Sequence, residues 1–343
     1  MRKKKGAEEA ILKEKTDRKE ELFLSPYAKK AKDTLGRMRE EEPCPMRTDF
    51  QRDRDRIIYC KAFRRLKNKT QVFFSPFGDH YRTRLTHTLD VSQISRSIAR
   101  ALSLNEDLTE AIALGHDLGH TPFGHSGERI LNQLSPHGFS HNEQSLRVVD
   151  VLEKNGAGLN LTAEVRDGIL NHKTTLTSMT LEGRAVSLSD WIAYINHDID
   201  DAIAGGIISA DDLPRDAVDV LGSSSRERIN TMVFSIYRMS EGKNMVEMEP
   251  DIFEATKELR AFMFERVYFR EASLIEEEKA SRMLSNLYGY FAENPDRLPP
   301  FYAGIAERDS LETALCDYIS SMSDRYAVYL YESIFVPKSW EKL

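Results

Sequence analysis

The stretch GHDLGHTPFGHSGE, residues 115–128, places three histidines, one aspartate and one glutamate among glycines and a proline. The preceding segment EDLTEAIAL has apolar residues at helical spacing and follows Asn105, a residue type that favours helix starts. Pro122 disfavours helical backbone at the residue before it, so we expect the helix to end there, with His116 and Asp117 in its last turn. The pattern therefore predicts an apolar helix that ends in a group of polar side chains.

Helical periodicity also dominates the sequence on both sides of this stretch. Apolar residues recur every three or four positions in DVSQISRSIARALSL, residues 90–104, and LSDWIAYINHDIDDAIAGG, residues 188–206, indicates a helix that ends at a glycine pair. Amphipathic patterns continue over residues 226–292 and near the C-terminus. The best strand signals are TQVFF, residues 70–74, and LTSMTLEG, residues 176–183. We predict an all-α fold with at most a small β-hairpin.

The composition is that of an ordinary globular protein, with 343 residues, 41% of them hydrophobic, and a net charge of −7. The acidic balance argues against a general nucleic-acid-binding surface, and no apolar run predicts a membrane span. The charged N-terminus lacks the apolar core of a secretory signal, and three widely spaced cysteines indicate a reducing, cytoplasmic location. We expect three parts: a charged, partly helical segment over residues 1–45, a core with the polar motifs over 46–210, and a helical C-terminal region over 211–343 packed on that core.

Two basic segments stand out in this acidic chain: KAFRRLKNK, residues 61–69, and RTR, residues 82–84. They are consistent with solvated helix faces. They are equally consistent with a pocket for a small polyanion, because Arg and Lys bind phosphates through charge-assisted hydrogen bonds. The sequence leaves both interpretations open.

The histidines suggest a metal site, because all nine lie between His80 and His197. His116 and Asp117 alone are weak evidence, since a histidine at a helix C-terminus is also favoured by the helix dipole. The spacing is not that of the HExxH zinc motif. With His87 and Asp190, however, they make a set of two histidines and two aspartates. Such a set suits Mn²⁺, Fe²⁺, Co²⁺ or Zn²⁺, and imidazole ligands make Mg²⁺ less favoured.

Several longer motifs resemble one known family. They are DRDRIIYCKAFRRLKNKTQVFF (53–74), RTRLTHTLDVSQI (82–94), GHDLGHTPFGHSGE (115–128), FSHNEQSLRVVDVLE (139–153), GLNLTAEVRDGILNHK (158–173) and SDWIAYINHDIDDA (189–202). Together they resemble the dGTPase-like branch of the HD-domain metal phosphohydrolases, the deoxynucleoside triphosphate triphosphohydrolases. The resemblance covers roughly residues 50–205, and CDYISSMSDRYA (316–327) is similar to the C-terminal segment of that branch. It implies that the core over residues 46–210 is an HD-domain helical bundle.

The resemblance also implies a role for individual residues. His87, His116, Asp117 and Asp190 match the metal ligands, for one divalent ion per active site, with Mn²⁺ or Mg²⁺ expected first and Fe²⁺, Co²⁺, Ni²⁺ or Zn²⁺ as alternatives. His125 matches the catalytic histidine, and Glu128 would orient it. The expected substrate contacts are Gln71, Val72, Arg84, His120, His141, Lys173, Tyr194 and Asp198. The expected reaction is hydrolysis of a dNTP to deoxynucleoside and inorganic tripolyphosphate.

Two other functions remain open from the sequence. The metal ligands alone would also suit an HD phosphohydrolase that acts on a nucleoside monophosphate or a guanosine polyphosphate. The basic segment over residues 61–69 would suit a nucleotide-sensing or nucleic-acid-binding regulator. The family resemblance further implies a homo-oligomer.

Overall fold

The described part of the protein is built mainly from helices. The computed structural model describes residues 2–71, 82–268 and 271–338, with the backbone alone for 2–12 and 271–273. The first helices are α1 Arg2–Phe23, α2 Asp49–Tyr59, α3 Lys61–Arg65, α4 Arg84–Ala101, α5 Glu106–Gly115, α6 Gly124–Leu134, α7 His141–Arg147, the single turn α8 Glu153–Gly156, α9 Ala163–Leu170 and α10 Leu181–Ala204. They are followed by α11 Arg215–Leu221, α12 Ser225–Ser240, α13 Pro250–Met263, α14 Glu271–Glu293, α15 Pro300–Arg308, α16 Leu311–Ser320 and α17 Asp324–Phe335. The π-helical turns are Val148–Leu152 and Phe264–Tyr268, and the 3-10 turns are Ala31–Asp33, Leu66–Asn68, Ala210–Asp212 and Pro295–Arg297.

The all-α prediction is confirmed, but one of the two strand signals is wrong. Within the described ranges, extended pairing is limited to isolated bridges, one of which joins Thr70 to Thr83. Residues 176–180 form a loop, and Thr180 then caps α10 by accepting a hydrogen bond from the backbone N–H of Gly183. The threonines that suggested a strand therefore serve a loop and a helix cap. Of TQVFF, residues 72–74 lie outside the described residues.

Helix α5 lies in the middle of the fold, packed against α2, α4, α9 and α10. Its apolar residues, such as Leu108 and Ile112, are fully buried. Asn105 caps its start, with the side-chain oxygen accepting from the backbone N–H groups of Asp107 and Leu108. Because α5 is surrounded by other helices, the residues at its C-terminal end lie in the interior of the protein.

The buried apolar residues in the described part of the chain form two hydrophobic cores. The main core extends along the chain from Ala31 to Val267 and so includes residues on both sides of position 210. The second core joins Leu131 of α6 to apolar residues between Leu284 and Ala327. The C-terminal helices therefore pack against the segment that follows GHDLGHTPF. The division into parts at residues 45 and 210 stays a prediction.

The N-terminal segment is bonded to the core through buried carboxylates. Oε1 of Glu182 accepts from the backbone N–H groups of Lys29 and Asn105, both at 3.0 Å. Glu182 is fully buried, and this burial raises the pKa of its carboxyl to about 7 against the opposing effect of the hydrogen bonds. No helix within the described ranges has both the length and the apolar character needed to cross a lipid bilayer.

Candidate active site

His116 ends the central helix with one ring nitrogen free. Its Nδ1 lies 2.7 Å from the carbonyl oxygen of Ala113, which can only accept, so Nδ1 carries the proton and Nε2 has a lone pair. Nε2 is buried without a hydrogen-bond partner among the described residues. A neutral imidazole whose Nδ1 is fixed by a backbone carbonyl is the usual form of a metal-ligating histidine.

Three other predicted ligands surround this nitrogen. His87, in the first turn of α4, places its Nε2 3.0 Å from Oδ1 of Asp190 on α10. That Oδ1 atom is 3.9 Å from His116 Nε2, and Oδ1 of Asp117 is 3.6 Å from it. One candidate ligand atom each from His87, His116 and Asp117 lies within 4.8 Å of the other two. His87, His116 and Asp117 therefore fit a divalent metal, with Asp190 beside the two histidines, and we call these four residues the metal tetrad.

The two aspartates of the metal tetrad are kept ionised by their neighbours. Burial raises the pKa of Asp190, but the hydrogen bond to His87 and the proximity of His116 outweigh burial and lower it to about 2. Burial likewise opposes ionisation of Asp117, yet His116 and Arg84 hold the pKa of Asp117 well below its usual value. Oδ2 of Asp117 accepts a hydrogen bond of 2.7 Å from Nη1 of Arg84. Arg84, expected to contact a phosphate, is thus buried against a metal-tetrad residue.

A second cluster lies beside the metal tetrad and contains His120, His125, Glu128 and His141. The rings of His120 and His141 stack with their centroids 4.4 Å apart, and the His125 ring lies 5.3 Å from His120. Glu128 Oε2 is 3.3 Å from Nδ1 of His125. The His125 side chain is 76% exposed, so a bound molecule could reach it. The structure thus brings the predicted dyad and two predicted substrate contacts together.

The carboxylate of Glu128 is shared rather than dedicated to His125. Its Oε1 accepts from the backbone N–H of His141 at 2.9 Å and also lies 2.9 Å from Nδ1 of that residue. Burial raises the pKa of Glu128, but hydrogen bonds from His125 and His141 lower it far more, so the group is an anion. Burial lowers the pKa of His141, and Glu128 partly offsets this effect.

His172 belongs to the same cluster and was not predicted. Its Nε2 is 3.1 Å from Nε2 of His141, and its ring lies edge-on to His116 with centroids 5.1 Å apart. Nδ1 of His172 is 2.7 Å from the carbonyl oxygen of Ile169. Burial lowers the pKa of His172 to about 3. Its position directly before Lys173 in the motif GLNLTAEVRDGILNHK was the one signal available.

Lys173 and Gln71 lie on the border of this cluster. Nζ of Lys173 donates to Oγ of Ser140 at 2.6 Å and is 3.7 Å from Glu128 Oε1. The carbonyl oxygen of Gln71 accepts a hydrogen bond of 3.4 Å from Nη2 of Arg84. Val72 lies outside the described residues.

The remaining predicted contacts follow Asp190 along α10. Tyr194 and Asp198 come four and eight residues later, so the three share one helix face. Tyr268, which the sequence did not reveal, donates its hydroxyl hydrogen to Oδ2 of Asp198. Burial raises the pKa of Asp198 to about 7 in spite of this hydrogen bond. Tyr268 lies in a region without a recognisable motif, so no signal in the sequence marked it.

The basic segments separate in the structure. Lys61 and Arg64 line a cavity of about 490 Å³ together with Arg47, Arg52, Arg56, Tyr59 and Lys154, among other residues. Lys69 is instead buried, and its Nζ donates to the carbonyl oxygens of His120 and Ser320. Arg82 pairs with Asp201 at 2.8 Å.

Comparison with known proteins agrees with the family that the motifs indicate. Residues 84–195 match the HD domain family, and residues 246–333 match the phosphohydrolase-associated domain. A "deoxyguanosinetriphosphate triphosphohydrolase-like protein" of Caldanaerobacter subterraneus subsp. tengcongensis is 58% identical over 96% of this chain and 97% of its own length. A protein of the same description from Desulfatibacillum aliphaticivorans is 47% identical over 95% of this chain and 98% of its own length.

A solved structure supports the fold. The crystal structure of a phosphohydrolase from Bacteroides thetaiotaomicron has a TM-score of 0.51 and 20% identity, and the match covers 81% of this chain and 67% of that one. The likeness extends beyond the helices of the HD match and concerns the architecture alone. The near full-length relatives and the HD match assign the family: the chain belongs to the deoxyguanosinetriphosphate triphosphohydrolase-like proteins of the HD-domain phosphohydrolases.

Proposed function

We propose that this metal-dependent HD phosphohydrolase cleaves a deoxynucleoside triphosphate to a deoxynucleoside and inorganic tripolyphosphate. The observation that carries the proposal is the convergence of the metal tetrad on the free Nε2 atom of His116, with His125 and Glu128 next to it. The names of the relatives support the substrate class, since they are dGTP triphosphohydrolase-like proteins.

The metal tetrad would hold one divalent ion. Two imidazoles and two carboxylates are a donor set suited to Mn²⁺, and we expect Mn²⁺ or Mg²⁺ before Fe²⁺, Co²⁺, Ni²⁺ or Zn²⁺. When bound, such an ion polarises a phosphoryl oxygen and lowers the pKa of a coordinated water. Ligand atoms of His87, His116 and Asp117 already lie within 4.8 Å of one another, and Asp190 Oδ1 lies 3.9 Å from His116 Nε2, which favours binding without a large rearrangement.

The polar side chains next to the tetrad suit a triphosphate. We assign Arg84, His120, His141 and Lys173 to the phosphate oxygens, because they are the cationic or hydrogen-bond-donating groups of this cluster. The rings of His120 and His141 are stacked, with their centroids 4.4 Å apart. This arrangement would fix the chain of phosphates relative to the metal tetrad.

His125 and Glu128 would move the proton. A water oxygen forms a new bond to the α-phosphorus, and the bond from that phosphorus to the 5′-oxygen breaks. The 5′-oxygen leaves as a hydroxyl when it receives a proton from His125, whose exposed ring a bound molecule could reach, and the proton that the attacking water releases restores the protonated His125. The anionic Glu128 would stabilise the imidazolium form of His125 before the transfer.

The nucleoside would lie along α10 and beside Gln71. Tyr194 can stack on the deoxyribose, and Asp198 can accept a hydrogen bond from the 3′-hydroxyl. The hydroxyl group of Tyr268 already occupies one oxygen of Asp198, which leaves the other oxygen for the sugar. The base preference depends on pocket residues that this arrangement does not identify.

Product analysis tests the proposal. The purified full chain is incubated with each of the four dNTPs and Mn²⁺ or Mg²⁺, and we expect inorganic tripolyphosphate and deoxynucleoside. His125→Ala should abolish turnover while Mn²⁺ binding persists, and His137→Ala, an exposed histidine, should behave as the wild type. Absence of tripolyphosphate with every dNTP and both metals would refute the proposal. Release of orthophosphate or pyrophosphate instead would favour a different nucleotide substrate.

We further propose a homo-oligomer and a cytoplasmic location, as the family resemblance and the cysteine pattern suggested. Sedimentation analysis of the purified chain tests the first. A single species with the mass of one chain, 39.3 kDa, would contradict it.

A further inference from the structure

Asp324, in the C-terminal region, contacts two separate loops of the candidate active site. Its Oδ2 atom accepts from the backbone N–H of Thr70 at 2.9 Å and from the Thr70 hydroxyl at 2.7 Å. Its Oδ1 atom accepts from the backbone N–H of Phe123 at 3.0 Å. More than 200 positions separate Asp324 from either loop in the sequence. We call Asp324, Thr70 and Phe123 the Asp324 cluster.

The Phe123 contact lies at the turn formed by Phe123 and Gly124, directly before His125. Phe123 has φ 60° and ψ 27°, and Gly124, the first residue of α6, has φ 57°, so two successive residues have positive φ where α6 begins. A non-glycine residue adopts this conformation rarely, and it persists only where the surroundings hold it. The hydrogen bond from Phe123 to Asp324 is such a restraint, and it lies two residues before His125.

The Thr70 contact fixes the loop on the other side of the site. Thr70 precedes Gln71, whose carbonyl oxygen accepts from Arg84, and Arg84 in turn pairs with Asp117 of the metal tetrad. The two loops also touch each other, since a Cβ atom built on Gly124 would lie 3.1 Å from the carbonyl oxygen of Gln71. One carboxylate therefore sets the spacing between the turn before His125 and the loop beside the nucleoside.

Helix capping does not explain this placement. The N-cap of α17 is Ser323, whose hydroxyl accepts from the backbone N–H of Tyr326. A second contact joins the same parts of the chain, because Lys69 donates to the carbonyl oxygens of both His120 and Ser320. The start of α17 and the end of α16 are thus bonded to residues on both sides of the site, including the turn at Phe123 and Gly124.

We propose that Asp324 is a positioning residue, which holds His125 and the Gln71 loop at the correct separation around the metal tetrad. The role in turnover rests on the proposed dNTP hydrolysis. The structural role does not, because the hydrogen bonds are made by the chain alone. Its loss should lower kcat through a misplaced His125 and leave the metal ligands in place.

The test compares Asp324→Ala and Asp324→Asn with Glu332→Ala, which removes an exposed carboxylate from the same helix. Hydrogen exchange followed by mass spectrometry needs no substrate. Fragments that contain Thr70 and Phe123 should exchange faster in Asp324→Ala but not in Glu332→Ala. Asn offers one acceptor oxygen and would place an amide N–H against the other loop, so Asp324→Asn should release one of the two fragments.

The kinetic measurement uses Mn²⁺ and the preferred dNTP. We expect kcat to fall about 10- to 100-fold in Asp324→Ala, as for a displaced catalytic group, with a smaller change in KM and unchanged Mn²⁺ binding. Unchanged exchange in both fragments, or a kcat within twofold of the wild type despite faster exchange, would overturn the proposal. Loss of Mn²⁺ binding would also overturn it, because it would indicate general unfolding. A wild-type chain that releases no tripolyphosphate would refute the proposed function, while the exchange comparison would still decide the role of Asp324.

Discussion

Glu128 lies closer to His141 than to His125. Its Oε1 atom is 2.9 Å from Nδ1 of His141, whereas Oε2 is 3.3 Å from Nδ1 of His125. The spacing of three residues between His125 and Glu128 suggested a simple pair in which the acid orients one histidine. The structure instead makes Glu128 the common anion of two histidines, one exposed and one buried. A change at Glu128 should therefore affect both proton transfer and the residue assigned to a phosphate.

We predict that Glu128→Gln lowers kcat by about two orders of magnitude, the lower range for loss of general acid–base assistance. Gln can still accept from the backbone N–H of His141, so the fold should persist, but it cannot stabilise a cationic His125. Steady-state tripolyphosphate release measures the effect, and Mn²⁺ binding checks the metal tetrad. The matched control is Glu143→Gln, an exposed acid in the first turn of α7. Full activity of Glu128→Gln would remove Glu128 from the proton-transfer step.

The helices could be predicted from the sequence because apolar residues recur in them at helical spacing. The apolar periods of α4, α5 and α10 match residues that are buried in the structure, such as Val91, Ile112 and Ile195. Periodicity failed at residues 176–183, where threonines occur in a loop and at a helix cap. Their β-branched side chains indicate extended backbone, but one hydroxyl is used instead to bind a helix N–H.

The contacts that complete the candidate site could not be predicted. His141 meets His172 across 31 positions, and Asp198 meets Tyr268 across 70. Such contacts depend on which helix faces pack together, and the local spacing of residues in the sequence does not predict that packing. The residues of the metal tetrad came from motifs of a family, and their individual roles stay predictions until metal binding is measured.

Metal binding should stabilise the protein against heat. A ligand that binds only the folded state at about 100 times its Kd adds about 2.7 kcal/mol to the free energy of unfolding. We therefore expect a rise in Tm when Mn²⁺ is added to metal-free protein. Asp190→Asn should lose most of this rise, because the variant lacks the Asp190 carboxylate, which lies beside His87 and is a proposed ligand. His137→Ala should keep the rise, and an equal rise in Asp190→Asn would exclude Asp190 as a ligand.

Glu182 should make the stability of the fold depend on pH. Its pKa in the folded protein is raised to about 7 from the ordinary 4.5, so the folded state favours the protonated form. The associated stability is fully present below pH 4.5 and is lost as pH rises toward 7. The difference corresponds to about 3 kcal/mol at 1.36 kcal/mol per unit of pKa.

Urea unfolding from pH 5 to 8 should show the wild type losing stability relative to Glu182→Gln. Glu258→Gln, an exposed control, should follow the wild type at every pH. Parallel curves for the wild type and Glu182→Gln would contradict the prediction.

Gly119, which lies shortly before the turn at Phe123 and Gly124, should not tolerate a side chain. The reason is lack of space, because its backbone is not left-handed. Its N–H donates to Oγ of Ser145 at 2.9 Å, and that hydroxyl donates to the carbonyl oxygen of His116. A Cβ atom on Gly119 would lie 2.1 Å from the backbone nitrogen of Ser145, so α7 would have to move away from the turn that contains Gly119. We expect Gly119→Ala to lower the free energy of unfolding by about 3 kcal/mol, the upper range for overpacking, because backbone rather than a flexible side chain must shift. Gly289→Ala is the control, since a Cβ there meets nothing within 4 Å and alanine favours a helix interior by about 0.5–1 kcal/mol. Urea unfolding measures the free energy of unfolding of both variants. A Gly119→Ala protein as stable as the wild type would show that α7 can move away from Gly119 without loss of stability.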